Sequence, residues 1–471
     1  MSDLHHVSSA LHVNVTRIDA PNNEPDMLSY LLASIPPQAM VSVWSGPAIA
    51  GDSQPTIVGS GAAVAFIVSQ GHGNRAVEVD MLREPSYEEL LQRLEPQPIR
   101  AGSTVAQQPH MEAVGRQWCT FAHNCTGTDS LAARDLEART GIRLPVGLMS
   151  FGFGPHSPGV VIAPQRSWIE YEGSLWLVEL GQDEYVPRSR AEQHYHLQPP
   201  AGLSLDPGTM SRSTWAQAVS DVVERLARGD AQKAVMARDV SVMATSPIDA
   251  RYLCDRLSNA YPTCWIFSVA GLTGASPEML ASVRDGVIKS RVLAGTCAPG
   301  EGHALLESAK DREEHMLAVQ SVTEALDPIT SAMQSSRQPF LLDLPNVSHL
   351  ATDVRAMLDP SLTGSAPVCL VVSALHPTAA VGGTPTQKAY QILTHHELTD
   401  RGRYSGPVGW IDAMGDGACA IALRCGQISG DRYSIRVLAG GGIMPDSDPD
   451  LEVAETQAKM RPVLQALGID G

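Results

Sequence analysis

Apolar residues in the first 200 positions fall mostly in short runs with the length and alternation of β-strands. These are Val41 to Trp44, Ala62 to Val68, Gly159 to Pro164, and Ser167 to Leu180 with a break at Glu172-Gly173. Helical spacing occupies brief windows: Met27 to Ala33, Ser86 to Leu94 after a proline, and Leu131 to Thr140 ending before Gly141. Ala101 to His110 is polar and reads as a connection, as does proline-containing Gln198 to Pro207. Beyond residue 206, helices and strands are interspersed. Trp215, Val219, Val222, Val223 and Leu226 recur at helical spacing behind Ser213 as N-cap, and Gly229 ends that helix. Lys233 to Val240 and Cys264 to Ala270 read as strands around a helix at Ala250 to Tyr261. Val347 to Ala356 is strand-like and holds His349, a proline- and glycine-punctuated loop follows from Ser373 to Pro385, and Thr384 to Thr394 is helical. From Tyr404 the chain reads as β-hairpins turning at Gly415-Asp416-Gly417 and Ser429-Gly430-Asp431, with Arg424 inside the first long strand pair, where an arginine needs an anion or an acid partner. Gly440-Gly441-Gly442 comes next, with backbone amides suited to a carboxylate. Asp448-Pro449 supplies an N-cap and a proline at N1 for the last helix.

One stretch joins two of these patterns. Asp285-Gly286 is a strong two-residue hairpin signal, because a type I′ turn needs positive φ at both positions. With Arg284 opposite Val287, the register sets Glu278 across from Leu293, beside Ala294-Gly295-Thr296. A glycine inside a strand often marks the close approach of a ligand. A proline-free helix is predicted from His303 to about Leu326, with Glu307, Asp311 and Glu314 on one face. Glu452, Glu455 and Lys459 share a face of the last helix in the same way. Spacing alone leaves open that the first acidic stripe is a solvated helix surface carrying Lys310 and Arg312 as well. It also leaves open whether Lys233, on the face of Val235 and Ala237, points into a half-buried space or snorkels to water.

Composition narrows the classes. A formal net charge of −17 argues against nucleic acid or an anionic membrane as the main partner. Eight scattered cysteines without a CxxC pair suit a reducing compartment and give a zinc site no support. Neither a signal peptide at Met1 nor an apolar run of about 18 residues is visible, so a cytoplasmic protein is expected.

Several motifs together carry a family resemblance. Gly274-Ala-Ser-Pro-Glu-Met-Leu280, Leu293-Ala-Gly-Thr296, Lys310-Asp-Arg-Glu-Glu-His315, Leu375-His-Pro-Thr378, Tyr404-Ser-Gly-Pro-Val-Gly409, Ala439-Gly-Gly-Gly-Ile443 and Glu452-Val-Ala-Glu-Thr-Gln-Ala-Lys459 resemble the chorismate-utilising enzymes, in the family's order, over roughly residues 210 to 468. Within the family the match is nearest to the isochorismate synthases. The resemblance implies an α+β fold of the anthranilate synthase component I or aminodeoxychorismate synthase type, a large two-sheet β-sandwich flanked by helices. On that fold, residues 1–40 are a partly loose arm, 41–205 a β-rich half and 206–471 the chorismate-binding catalytic half.

The resemblance also implies roles. Glu314 and Glu455 bind Mg²⁺, supported by Glu452 and Asp311. Lys233 is the general base and Glu278 the general acid. Arg424 and Tyr404 hold the enolpyruvyl carboxylate, and Gly295, Thr296, His349, Gly440, Gly441, Gly442 and Lys459 line the ring. Burial of Glu278 against the apolar hairpin has to outweigh the metal for that carboxyl to stay protonated. Relatives that add ammonia, the anthranilate and aminodeoxychorismate synthases, generally carry another residue at the position of Lys233 and use an amidotransferase partner, which is not expected here. Salicylate synthases keep the lysine and stand as the alternative, and a non-catalytic binding protein on the same fold is a further one. Isochorismate formation would feed menaquinone or catecholate siderophore biosynthesis, and a monomer is expected. Cys297-Ala298-Pro299 stands where relatives often carry an arginine.

Overall fold

The structure, a computed structural model, describes residues 10–19, 26–48, 52–70, 77–95, 109–155, 157–181, 193–297, 302–336, 338–344, 347–362, 366–398 and 400–469. Most of the connection predicted at Ala101 to His110, and the Ala298-Pro299 departure, lie outside them.

Two antiparallel sheets carry the fold. The first runs, strand by strand, His12–Ile18, Ser174–Gly181, Arg166–Tyr171, Thr56–Ser60, Val41–Ser45, Trp265–Val269, Leu272–Ser276, Cys425–Ile428, Ser434–Ile443, Lys233–Met243 and Ser204–Asp206, with Gly383–Thr384 also paired to Lys233–Met243. The second runs Thr330–Ser335, Val347–Leu358, Val287–Cys297, Met279–Arg284, Gly417–Ile421, Pro407–Ile411, Gly147–Ser150, Gly159–Ala163, Val64–Gln70 and Val77–Arg83, with Phe340–Leu344 beside Val347–Leu358. Strands from before and after residue 206 mix in both sheets. The sheets meet over one apolar core that takes Trp44, Trp176 and Phe267 from the first and Phe66, Leu148 and Ile288 from the second.

Alternation along a strand serves both faces of the first sheet. Trp44 enters the inner core while Val43 enters a second cluster outside, with Leu31, Leu253 and Val463 of three covering helices. Those helices are Met27–Ala33, Ala250–Ala260 and Pro449–Leu467. Among the described residues no helix is long and apolar enough to cross a membrane.

Local signals place several elements as expected. Asp285 and Gly286 both take positive φ at the Arg284–Val287 hairpin, and Gly141 ends its helix in the left-handed conformation. Asp448 accepts hydrogen bonds from the amides of Asp450 and Leu451, with Pro449 in the first turn. Four expectations are corrected. The N-cap of Arg212–Ala227 is Ser211, whose Oγ accepts from the Thr214 amide, rather than Ser213. Helices Pro109–His123 and Pro367–Leu375 appear where no helix was expected, packed on one another against the second sheet. The single helix expected from His303 is two, Gly302–Glu307 and Ala309–Leu326, because Ser308 caps the second through the Asp311 amide. Glu307 therefore leaves the face that Asp311 and Glu314 share.

Candidate functional site

The chain crosses between the two sheets at Glu278, which links Leu272–Ser276 to Met279–Arg284, and again at Arg424, which links Gly417–Ile421 to Cys425–Ile428. The crossings are tied together. The Ile421 amide donates to the Glu278 carbonyl at 2.9 Å, Ser276 Oγ donates to the Ile421 carbonyl at 2.6 Å, and the Ala275 amide donates to the Arg424 carbonyl at 3.1 Å. Arg424 thus lies between strands rather than inside a strand pair. Its φ of +47° turns the backbone out of one ladder and into the other. Gly274 makes room for this, since a Cβ there would meet the Arg424 carbonyl oxygen at 2.7 Å.

A cavity of about 960 Å³ opens at these crossings and gathers Glu278, Leu293, His349, Tyr404, Arg424, Gly440, Glu455 and Lys459 in its wall. A smaller one of about 350 Å³ also has Glu278 and Leu293 in its wall, so the acid stands between two spaces. Lys233 opens its strand opposite Thr384 and lies across Gly442, where a Cβ would meet Lys233 Cε at 2.7 Å. Gly440, Gly441 and Gly442 sit in a paired strand, opposite Ala237, Met236 and Val235. What these glycines provide is space. A Cβ at Gly441 would fall 2.6 Å from Glu452 Oε2, and one at Gly440 3.5 Å from the Tyr404 hydroxyl.

The electrostatics follow from this enclosure. Burial pushes the Glu278 carboxyl up to about 7, against the opposing pull of Arg424, Lys233 and Lys459. Burial is also the main cause that holds His349 below the ordinary imidazole range; a hydrogen bond with the Gly295 backbone opposes it and Arg424 adds to it. Tyr404, 4% exposed, is pushed up to about 12 by burial. The cavity is therefore lined by a neutral imidazole, a neutral phenol and a carboxyl that holds its proton to near neutrality, with cationic Arg424 beside them.

Two acidic helices flank the site. Ala309–Leu326 packs on Val287–Cys297, where the register shifts between Ala294 and Thr296 and Gly295 takes a φ of +77°. A Cβ at Gly295 would lie 3.5 Å from Asp311 Cβ, so the bulge brings the backbone up to the helix. His315 pins this contact, hydrogen-bonded through Nδ1 to the Ala294 carbonyl at 3.2 Å and through Nε2 to Thr352 Oγ1 at 2.8 Å. The side chains of Thr296 and Glu314 lie outside the described residues.

On the other helix, Lys459 Nζ donates to the Gly440 carbonyl at 2.9 Å and pairs with Glu455. Glu452 Oε1 accepts from Ser447 Oγ at 2.8 Å, while buried Glu452 Oε2 has no partner. Burial raises the Glu452 pKa first, and neighbouring Glu455 raises it further. An orphaned carboxylate oxygen next to a second carboxylate fits a bound cation. Among the described residues no three His, Cys, Asp or Glu converge on one point.

Sequence reasoning missed Arg461 and Tyr261 in the cavity wall. Arg461 follows Lys459 in the last helix, a signal that was available. Tyr261 ends its helix in the sequence pattern, and only the fold turns it to the site. His315 carries no sequence signal beyond closing the Lys310–His315 motif.

Comparison with known proteins agrees with the motifs. A family model described as chorismate binding enzyme matches residues 164–468, beginning before the stretch from residue 210 where the resemblance was seen. The chain is 35% identical over 285 residues to the salicylate biosynthesis isochorismate synthase of Pseudomonas aeruginosa, covering 58% of each chain. It is 30% identical over 353 residues to the isochorismate synthase EntC of Escherichia coli, covering 72% of this chain and 85% of that one. The solved structure of MenF, the menaquinone-specific isochorismate synthase of Escherichia coli, superposes with a TM-score of 0.68 at 20% identity, over 98% of this chain and 95% of that one. The two sheets and flanking helices are the fold of that structure, and the family match spans more than half of the sequence: the chain belongs to the chorismate binding enzymes.

Proposed function

We propose that this chain is an isochorismate synthase that converts chorismate reversibly to isochorismate with Mg²⁺, supplying menaquinone or catecholate siderophore biosynthesis. The observation that carries the reading is Glu278, a carboxyl kept protonated to about 7 by burial, which shares a cavity wall with Arg424 and lies within the field of Lys233. In this reaction a water oxygen bonds to C2 as the C4–O bond breaks, and both ring double bonds move by one position, from C1=C2 and C5=C6 to C6=C1 and C4=C5. Lys233, in its free-amine form, takes a proton from the incoming water and becomes the ammonium. Glu278 gives its proton to the leaving hydroxyl, which departs as water, and the reverse reaction exchanges the two roles. Arg424 and Tyr404 hold the enolpyruvyl carboxylate, and Gly295, Thr296, His349, Gly440, Gly441, Gly442 and Lys459 line the ring.

Chorismate is a dianion, and a protein of formal charge −17 repels it. Mg²⁺ would be held by Glu314 and Glu455 with Asp311 and Glu452 in support, and when bound it supplies positive charge toward the ring carboxylate. The orphaned Glu452 oxygen supports such a cation. Incubation of the purified protein with chorismate and Mg²⁺, with products separated by chromatography, tests the reading. Isochorismate is the expected product. Salicylate and pyruvate as the main products, anthranilate when ammonia is supplied, or no consumption of chorismate each overturn it.

A further inference from the structure

A third cavity, of about 490 Å³, lies next to the first along the Ser434–Ile443 strand. Arg436 and Leu438 line the third cavity, Gly440 lines the first, and Tyr404 stands in the wall of both. Its volume is in the range of sites that hold small organic molecules. Leu91 and Leu94, from the helix Tyr87–Arg93 and its C-terminal end, line it together with Leu272 and Leu438 and give it an apolar body.

The polar end is unusual. Arg403 is 4% exposed and donates to the carbonyls of Val269 and Ala270 and to Gln427 Oε1, at 2.9, 2.6 and 2.6 Å. All three acceptors are neutral. Its cationic neighbours in the same wall, Arg401 and Arg436, are each paired with an acid, Glu397 and Asp239. Among the described residues Arg403 has no carboxylate partner, and its three bonds leave two of its five N–H groups without an acceptor there. A buried cation without a counter-charge is costly and suits an anionic ligand. Burial accordingly lowers Arg403 to about 10. Glu88, Glu95 and Asp431 also line the cavity. Glu88 and Glu95 are exposed, so negative charge toward solvent disfavours a dianion such as chorismate and admits one charge at the buried arginine.

We propose that this cavity is a second binding site, for a small carboxylic acid with a single negative charge and an apolar body about one ring in size, its carboxylate on Arg403. The site does not depend on the reaction assigned to the first cavity. Benzoate, with its neutral isostere benzamide, is the probe, titrated calorimetrically into the full chain. Saturable benzoate binding is expected, weakened about 10- to 100-fold by Arg403→Gln. Leu91→Trp, which adds bulk to the apolar wall and keeps the arginine, is expected to abolish it, and Arg424→Ala to leave it unchanged. Thermal melting of each variant establishes that it is folded. Four results overturn the proposal: absence of saturable binding, equal binding of benzamide, loss of binding in Arg424→Ala, and unaltered binding in folded Leu91→Trp. Loss in Arg424→Ala would assign benzoate to the first cavity. Failure to form isochorismate leaves every arm of this titration intact, so the two readings fail separately.

Discussion

Replacing Glu278 with glutamine removes a proton site while keeping the side chain's shape, and the structure sets both the sign and the size of the result. In the unfolded chain this carboxyl has its ordinary value of 4.5, and in the folded protein burial raises it to about 7. Between those two values the native state keeps a proton that the unfolded state has released. Stability contributed by this site is therefore fully present below about pH 4.5 and is lost as pH rises to 7. A shift of about 2.5 units at 1.36 kcal/mol per unit is about 3 kcal/mol. Glutamine does not titrate, so Glu278→Gln gains on the parent protein by that amount between acid and mildly alkaline pH. With an unfolding entropy of about 2.1 cal/mol/K per residue, a chain of 471 residues loses about 1 kcal/mol per degree near its midpoint, so the gap corresponds to about 3 °C in Tm. Melting both proteins at pH 5 and pH 8 in the presence of a metal chelator reads it directly. The variant should melt close to the parent at pH 5 and a few degrees higher at pH 8. A gap that does not change with pH would refute burial as the cause of the shift. The same variant should lose about 10²-fold or more in turnover, and near-normal turnover would remove Glu278 from the role of acid.

Other substitutions separate the remaining roles. Lys233→Met should lower kcat by about 10²- to 10⁴-fold with little change in KM, read by steady-state kinetics on chorismate, because it removes the base and leaves the carboxylate contacts. Arg424→Met should mainly raise KM, by about 10- to 100-fold, because a charge-assisted bond to a substrate carboxylate is lost. Glu452→Gln should raise the Mg²⁺ concentration needed for half-maximal rate by about 10- to 100-fold, seen in a metal titration at saturating chorismate. Gly442→Ala places a Cβ 2.7 Å from Lys233 Cε and should lower kcat by displacing the lysine, while circular dichroism shows the sheet intact.

Elements whose signals are local were legible in the sequence. Asp448 with Pro449 and the Asp285-Gly286 turn depend on neighbouring side chains and backbone angles alone, and they stand where capping and turn chemistry set them. Elements that depend on surroundings were not. Pro367–Leu375 buries Val368, Cys369, Val371, Val372 and Leu375, so it has too little of a polar face for a helical period to be visible. The break at Ser308 escaped because serine is tolerated inside a helix, and only its bond to the Asp311 amide marks a new start.

The site itself was legible as motifs and illegible as geometry. Periodicity assigns a residue to a ladder or a helix face, whereas Glu278 and Arg424 belong to neither; each occupies the step between two sheets. At such a step the side chain is freed from the in-and-out alternation of the strand. It can point along the gap between the sheets, where apolar packing excludes water and raises a carboxyl's pKa. Two steps joined by the Ile421–Glu278 and Ala275–Arg424 hydrogen bonds place an acid and a cation in the wall of one cavity, although far apart in the chain. The acid's proton affinity therefore depends on the closure of both sheets around it. A change at either crossing that loosened the corner without touching the carboxyl would bring Glu278 back toward 4.5.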